Sequence, residues 1–180
     1  MDAQIKIRKA APGDENALGV VGAATFLESF IDTIPGPDLV KHCQGQHDPS
    51  VYLQALTNSD PRYACWIAEH GEMGAPLGYA MTAAPDLPVE TGANDIELKR
   101  IYVFSRYHGS GAGKQLNDLV DAHAAALDCP RILLGTYHEN HRAVAFYKRE
   151  GYALVGTRQF QVGDQLFDDV VMAKSLRNKL

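Results

Sequence analysis

Three features of the sequence predict an α/β fold, a mixed and mostly antiparallel sheet with helices packed on it. A strand-like run at residues 96–104, Ile-Glu-Leu-Lys-Arg-Ile-Tyr-Val-Phe, passes through a glycine-rich turn into a helical pattern at 111–127, and a short apolar strand follows at 132–135. Two further pairs of strand-like segments, 62–70 with 77–83 and 152–161 with 166–173, are each joined by a short turn containing glycine, as hairpins are. The chain has 180 residues, 46% of them hydrophobic, which suits one core; a single domain over residues 1–180 is expected.

The remaining elements follow in order. Residues 5–10 alternate polar and apolar as a half-buried strand does. Pro12, Gly13 and Asp14 then supply a turn and an N-cap for an amphipathic helix from Glu15 to Phe30. Ile-Pro-Gly-Pro at 34–37 breaks that pattern, and 38–44 and 49–57 read as short helices polar enough to lid a site. Residues 85–94 form a loop by composition. In 111–127, Leu116, Leu119, Val120 and Ala124 recur at helical spacing. Residues 139–150 form another helix, with Gly151 at its C-terminal end, and Gly163-Asp164 turns the last hairpin.

Composition excludes several classes. No apolar run approaches the roughly 20 residues that cross a bilayer, and the first residues lack the basic start and apolar core of a signal peptide, so a cytoplasmic protein without a membrane partner is expected. A net charge of −5 argues against a nucleic-acid surface and suits a cationic small molecule. Cys43, Cys65 and Cys129 are too scattered for metal-ligand spacing, and His123, His138 and His141 show no ligand pattern, so no metal is expected.

The turn at 108–114, His108, Gly109, Ser110, Gly111, Ala112, Gly113 and Lys114, lies where a strand hands over to a helix. Unpaired backbone N–H groups there face outward at the positive end of the helix dipole, and glycine lets a phosphate come close. Ser110 and Lys114 offer a hydroxyl donor and a positive charge. A nucleotide-triphosphatase loop is excluded: His108 stands where its first glycine belongs and Gln115 replaces the magnesium-binding hydroxyl. The dinucleotide fingerprint Gly-x-Gly-x-x-Gly fails too, since Lys114 or Leu116 falls at its third glycine. A pyrophosphate cradle and a plain flexible turn both remain open on these local features.

Residues 98–116 resemble the acetyl-CoA motif of the GNAT N-acetyltransferase superfamily. That motif, Gln/Arg-x-x-Gly-x-Gly/Ala, falls on His108, Gly111 and Gly113, with His108 departing from it. Asn-His-Arg-Ala-Val-Ala-Phe-Tyr-Lys-Arg-Glu-Gly at 140–151 is similar to a second segment of the family. The resemblance implies a GNAT-like sheet of about seven strands, opened in a V between its fourth and fifth, with about four helices. It also implies acetyl-CoA as co-substrate. The cradle amides would hold its pyrophosphate, the backbone of Ile101, Tyr102 and Val103 its pantetheine and thioester, and Asn140 the pantetheine arm.

Acetyl transfer to an amine needs a proton acceptor, because an alkyl ammonium has a pKa of about 10, and a proton donor for the leaving thiolate. The resemblance assigns the donor to Tyr147, whose other reading is aromatic core. Glu97, on the strand before the cradle, is the candidate base, and its other reading is a solvated strand charge; Glu28, Asp32 and Glu69 are alternatives. Segments at 25–30, 98–102, 134–140 and 160–164 further resemble PaiA-type polyamine N-acetyltransferases, which implies a small polyamine acceptor held by Glu28 and Asp32, with Asp38 nearby. Peptide or protein acetylation and a non-catalytic acyl-CoA sensor are the alternatives. The strand within 167–173 is expected to pair or pack between subunits in a homodimer.

Overall fold

The computed structural model describes residues 4–176. These residues form seven strands, β1 (Ile5–Lys9), β2 (Ala64–His70), β3 (Pro76–Ala83), β4 (Ile96–Val103), β5 (Arg131–Tyr137), β6 (Ala153–Val162) and β7 (Gln165–Ser175). They form one sheet in the order β1-β2-β3-β4-β5-β7-β6, antiparallel throughout except for the parallel β4–β5 pair. Among the described residues five helices flank it: α1 (Glu15–Phe30), α2 (Gly36–Gln46), α3 (Pro49–Leu56), α4 (Ala112–Ala126) and α5 (His141–Arg149).

The parallel pair is short. β4 and β5 match only at Ile96↔Ile132 and Glu97↔Leu133, and past these residues they part. Two things drive them apart. Leu98 and Arg100 pair with consecutive β3 residues, Thr82 and Met81, so Lys99 is a bulge that adds bend and twist to β4. β5 is meanwhile paired along its whole length to β7, from Arg131↔Ser175 to Tyr137↔Asp169, and follows that half of the sheet. The V-shaped opening expected between the fourth and fifth strands is this divergence.

Each face of the sheet buries its own helices. α4 lays Leu116, Val120 and Ala124, all 0% exposed, against Trp66, Ile96, Leu98, Ile132 and Leu134. A leucine so buried contributes about 1.5–3 kcal/mol. On the opposite face Leu18 and Val21 of α1 and Tyr52 and Ala55 of α3 cover Cys65, Ile67, Tyr79 and Met81. A third cluster, Phe26, Ile34, Leu39 and Val162, ties the α1–α2 corner to β6, so the short helices roof the opening.

Three local expectations change. Asp14 stands at the N-cap of α1 but makes no side-chain cap; its carboxylate instead pairs with Arg8 at 2.8 Å and accepts the Ala11 amide. The Ile-Pro-Gly-Pro segment starts α2 rather than only breaking α1, since Pro37 sits in the first turn, where its missing N–H is no loss. β7 lies between β5 and β6, so the strand expected to pair between subunits has no free edge.

Gly22 of α1 is where the helix layer meets the floor of the opening: a Cβ there would overlap the Tyr52 hydroxyl and the His47 ring. Gly22→Ala is therefore expected to lower stability by about 1–3 kcal/mol, although alanine alone favours the helix by about 1 kcal/mol. Urea unfolding tests this, and an unchanged or raised midpoint would show that α1 yields there.

Candidate active site

A cavity of about 580 Å³ occupies the opening. One end is the glycine-rich turn. Ser105–Tyr107 form a single 3-10 turn, after which Gly109 (φ +86°) and Gly111 (φ +88°) adopt left-handed backbone that side chains disfavour. The chain thereby enters α4 with the amides of Gly109, Gly111, Gly113 and Lys114 lacking any acceptor among the described residues. A Cβ at Gly109 would meet nothing within 4 Å, so open space lies before the turn. Free N–H groups at a helix N-terminus facing open space form an anion site.

The side chains expected to help bind are mostly turned to holding this shape. The His108 ring donates from Nε2 to the Val103 carbonyl at 2.7 Å, and Ser110 Oγ donates to the Tyr107 carbonyl at 2.6 Å. Lys114 pairs with Asp118 at 2.8 Å on the exposed face of α4, a pair weak enough to exchange for another anion. Ala112 is fully buried, and its amide is turned to Ser110 Oγ at 3.3 Å.

Just past the end of β4, Phe104 N donates to Leu77 O. Alternation along an antiparallel ladder then turns the amides of Ile101 and Val103 away from β3, into the opening, where β5 has left them unpaired. Tyr102 differs: its backbone faces β3, and its half-buried ring lies on the α1 side of the sheet, stacked on Tyr79. Asn140 Oδ1 caps α5 by accepting the Ala143 amide at 3.1 Å while its side lines the cavity. α5 carries Tyr147, 8% exposed, between Phe146 and Tyr152. Its hydroxyl has no hydrogen-bond partner among the described residues, and burial pushes its pKa well above the usual phenol value, so it stays protonated.

The carboxylates separate. Glu97 lines the cavity and is 2% exposed, with Oε2 accepting the Asp86 amide at 2.7 Å and Oε1 lying 3.5 Å from Lys99 Nζ. It is not a solvated strand charge. Glu28 is exposed and accepts both the amide (2.9 Å) and hydroxyl (2.8 Å) of Ser105, bracing α1 to the turn. Asp32 is exposed and takes no part in the cavity lining, and Glu69 pairs with Arg8 at the far side of β2.

The other half of the cavity holds residues that sequence reading missed: His42, Gln46 and His47 of α2 and its end, Arg100 of β4, Arg158 of β6 and Asp169 of β7. Arg158 and Asp169 are cross-strand partners paired at 2.9 Å. Burial raises the Asp169 pKa and the Arg158 bond offsets part of that rise. Phe26, Phe30, Tyr102, Phe160 and Phe167 wall this half. Among the described residues no cluster of His, Cys, Asp or Glu could hold a metal, and no helix is long and apolar enough to cross a membrane.

Comparison with known proteins matches residues 29–152 to the model of the Acetyltransferase (GNAT) family. An uncharacterized N-acetyltransferase of Mycobacterium tuberculosis is 32% identical over 163 residues, 91% of this chain and 98% of that protein. The spermine/spermidine N(1)-acetyltransferase of Bacillus subtilis is 30% identical over 89 residues, 48% of this chain and 59% of that protein. Among solved structures, the PaiA N-acetyltransferase of Thermoplasma acidophilum, in complex with coenzyme A, superposes with a TM-score of 0.77 at 18% identity, covering 96% of this chain and 99% of that one.

His47 supplies a pH test. It is 4% exposed and lies 2.7 Å from the Tyr52 hydroxyl, and burial first, then Arg100 and His42, pull its pKa to about 3. The unfolded chain protonates it near pH 6.5, so the unfolded state binds more protons between those values. Its contribution is thus full above about pH 6.5 and is lost as pH falls toward about 3. Lowering the pH from 7 to 5 should cost about 2 kcal/mol through this residue. Urea midpoints at both pH values should show that loss in the wild type and a smaller one in His47→Asn; equal losses would contradict it.

Proposed function

The chain belongs to the GNAT acetyltransferase family, and we propose that it transfers an acetyl group from acetyl-CoA to the primary amine of a small molecule. The observation that carries this reading is the continuity of one cavity, from the unpaired amides of the turn, past those of Ile101 and Val103, to the free phenol of Tyr147. The fit to coenzyme A lies in backbone chemistry: donors and small residues where a diphosphate needs them, and a strand edge for a chain of amides. Acetyl-CoA would supply the activated acyl carbon.

In this reading the amides of Gly109, Gly111, Gly113 and Lys114 hold the pyrophosphate, and Ala112 fixes the helix start behind them. The Ile101 and Val103 amides orient the pantetheine and thioester, and Asn140 holds the α5 end of the channel in place. Tyr147 gives its proton to the departing sulfur; burial that keeps the phenol neutral also keeps the donor loaded at any physiological pH. Glu97 takes the proton from the attacking amine through water, its carboxylate kept in the cavity by the Asp86 amide. The hydrogen bond from His108 to Val103 makes that histidine a brace, which is how the turn tolerates its departure from the family motif.

The roof of α1 and α2 favours a small acceptor over a protein N-terminus or lysine, which would need an open groove. A polyamine is the narrower form of the reading and draws on the Bacillus subtilis relative. The acids that would hold its extra ammonium groups, Glu28 and Asp32, are exposed and do not line the cavity, which instead holds Arg100.

Tyr147→Phe is expected to lower turnover by about 100-fold at saturating acetyl-CoA, with CoA affinity nearly kept. Free-thiol release with a panel of amines measures the first and calorimetry the second. Full turnover in the variant would remove the donor role. Coenzyme A binding by the wild type with no thiol release from any amine would favour a sensor.

A further inference from the structure

The acceptor half of the cavity contains one positive charge that the chain leaves unmatched. Arg100 Nη1 donates to the Gln46 carbonyl at 2.9 Å and to the Tyr52 hydroxyl at 3.0 Å. Nη2 reaches Gln46 Oε1 only at 3.4 Å, and Nε has no acceptor among the described residues. None of the ion pairs formed by the described residues includes Arg100. The two bonds from Nη1 fix the guanidinium plane against α2 and α3, and the Nε–Nη2 edge, the side that grips a carboxylate at two points, is left over. Gln46, whose long contact would have to give way, also lines the cavity.

The neighbouring charges cancel. Arg158 is matched by Asp169 at 2.9 Å and Lys99 lies 3.5 Å from Glu97. His42 and His47 face the same space, and burial and Arg100 keep both from protonating readily. The pocket around Phe26, Tyr102 and Phe160 therefore carries a net single positive charge in an apolar setting. A partly buried cation without a counterion is costly unless a ligand supplies the anion.

Resting on the acetyl-transfer reading of this same cavity, we propose that the acceptor is an apolar amino acid: a primary amine that also bears a carboxylate, seated on the Nε–Nη2 edge of Arg100 with its side chain against Phe26, Tyr102 and Phe160. One guanidinium matches a monoanion; a phosphate dianion would need a second free cation, and Arg158 is already paired. A polyamine would place further ammonium groups beside an unneutralised guanidinium. The nitrogen bonds the acetyl carbon as the carbon–sulfur bond breaks. One amine proton leaves to the base, and sulfur takes the Tyr147 proton, giving an N-acetylamino acid and free coenzyme A.

The test compares L-phenylalanine and L-leucine with their decarboxylated counterparts, phenethylamine and isoamylamine, and with spermidine. Thiol release and calorimetric binding to the coenzyme A-loaded protein are both measured. In the wild type at least one amino acid should exceed its decarboxylated counterpart and spermidine by about tenfold or more in kcat/KM, and Arg100→Met should cut that ratio by about tenfold or more. Arg100→Lys, which keeps the charge and loses the two-point grip, gives the same readout if the methionine variant does not fold. Preference for spermidine or for both decarboxylated amines would overturn the proposal, as would an unchanged ratio in the variants. If no amine releases thiol, the acetyl-transfer reading fails. Binding then decides the carboxylate seat: Arg100-dependent binding of an amino acid but not of its decarboxylated counterpart supports it, and absence of such binding overturns it.

Discussion

The parting of β4 from β5 after only two matched residue pairs is the constraint on which the rest of this molecule depends. A sheet normally satisfies each strand's amides with its neighbour's carbonyls, and unsatisfied interior groups are costly. Here the Lys99 bulge bends β4 one way while a full-length ladder to β7 holds β5 the other, so the amides of Ile101 and Val103 are left unpaired. Their cost is offset by packing on both faces, α4 on one and α1 with α3 on the other, which keeps the two halves of the sheet from closing or sliding. The same divergence brings the start of α4 and the flank of α5 to the mouth of the gap.

Within the gap the two ends work by different chemistry. The turn end relies on backbone geometry: two glycines at positive φ aim amides outward, while His108, Ser110 and Glu28 are spent on carbonyls and amides of the turn itself. Such a site depends little on which charged side chains surround it. The roofed end is the reverse. There the lining is set by a few side chains, Arg100, Asp169, Arg158 and the aromatic walls, in a setting where each unmatched charge counts heavily.

That difference explains what could be read in the sequence and what could not. The strand alternation at 96–104, the glycine spacing at 109–113 and the helix at 139–150 are local patterns, and each marks its element within one or two residues. The place of Tyr147 in the cavity lining was legible because it shares a short segment with Asn140 and Gly151. The roles of Ser110 and His108 were not, since whether a side chain turns to a ligand or to a carbonyl three or five residues away is decided by the turn's conformation. Glu28 and Asp32 drew notice as acids, but α1 directs the first to Ser105 and leaves the second outside. Arg100 was hidden more deeply. Its partners, Gln46 and Tyr52, lie about fifty residues earlier in the chain, and the bulge at Lys99 shifts the in-out alternation by which its direction would have been inferred. The Arg158–Asp169 pair needed only the hairpin register, a signal available from the turn at Gly163.

The central claim is that the split between β4 and β5, with the turn before α4, is a single seat for coenzyme A. Hydrogen–deuterium exchange with and without saturating coenzyme A addresses it most directly, because the claim concerns named amides rather than overall affinity. Exchange should slow at Ile101, Val103, Gly109, Gly111, Gly113 and Lys114 and stay unchanged along β1 and β2. Binding that leaves the amides of 109–114 untouched, or protects a different region, would contradict the account.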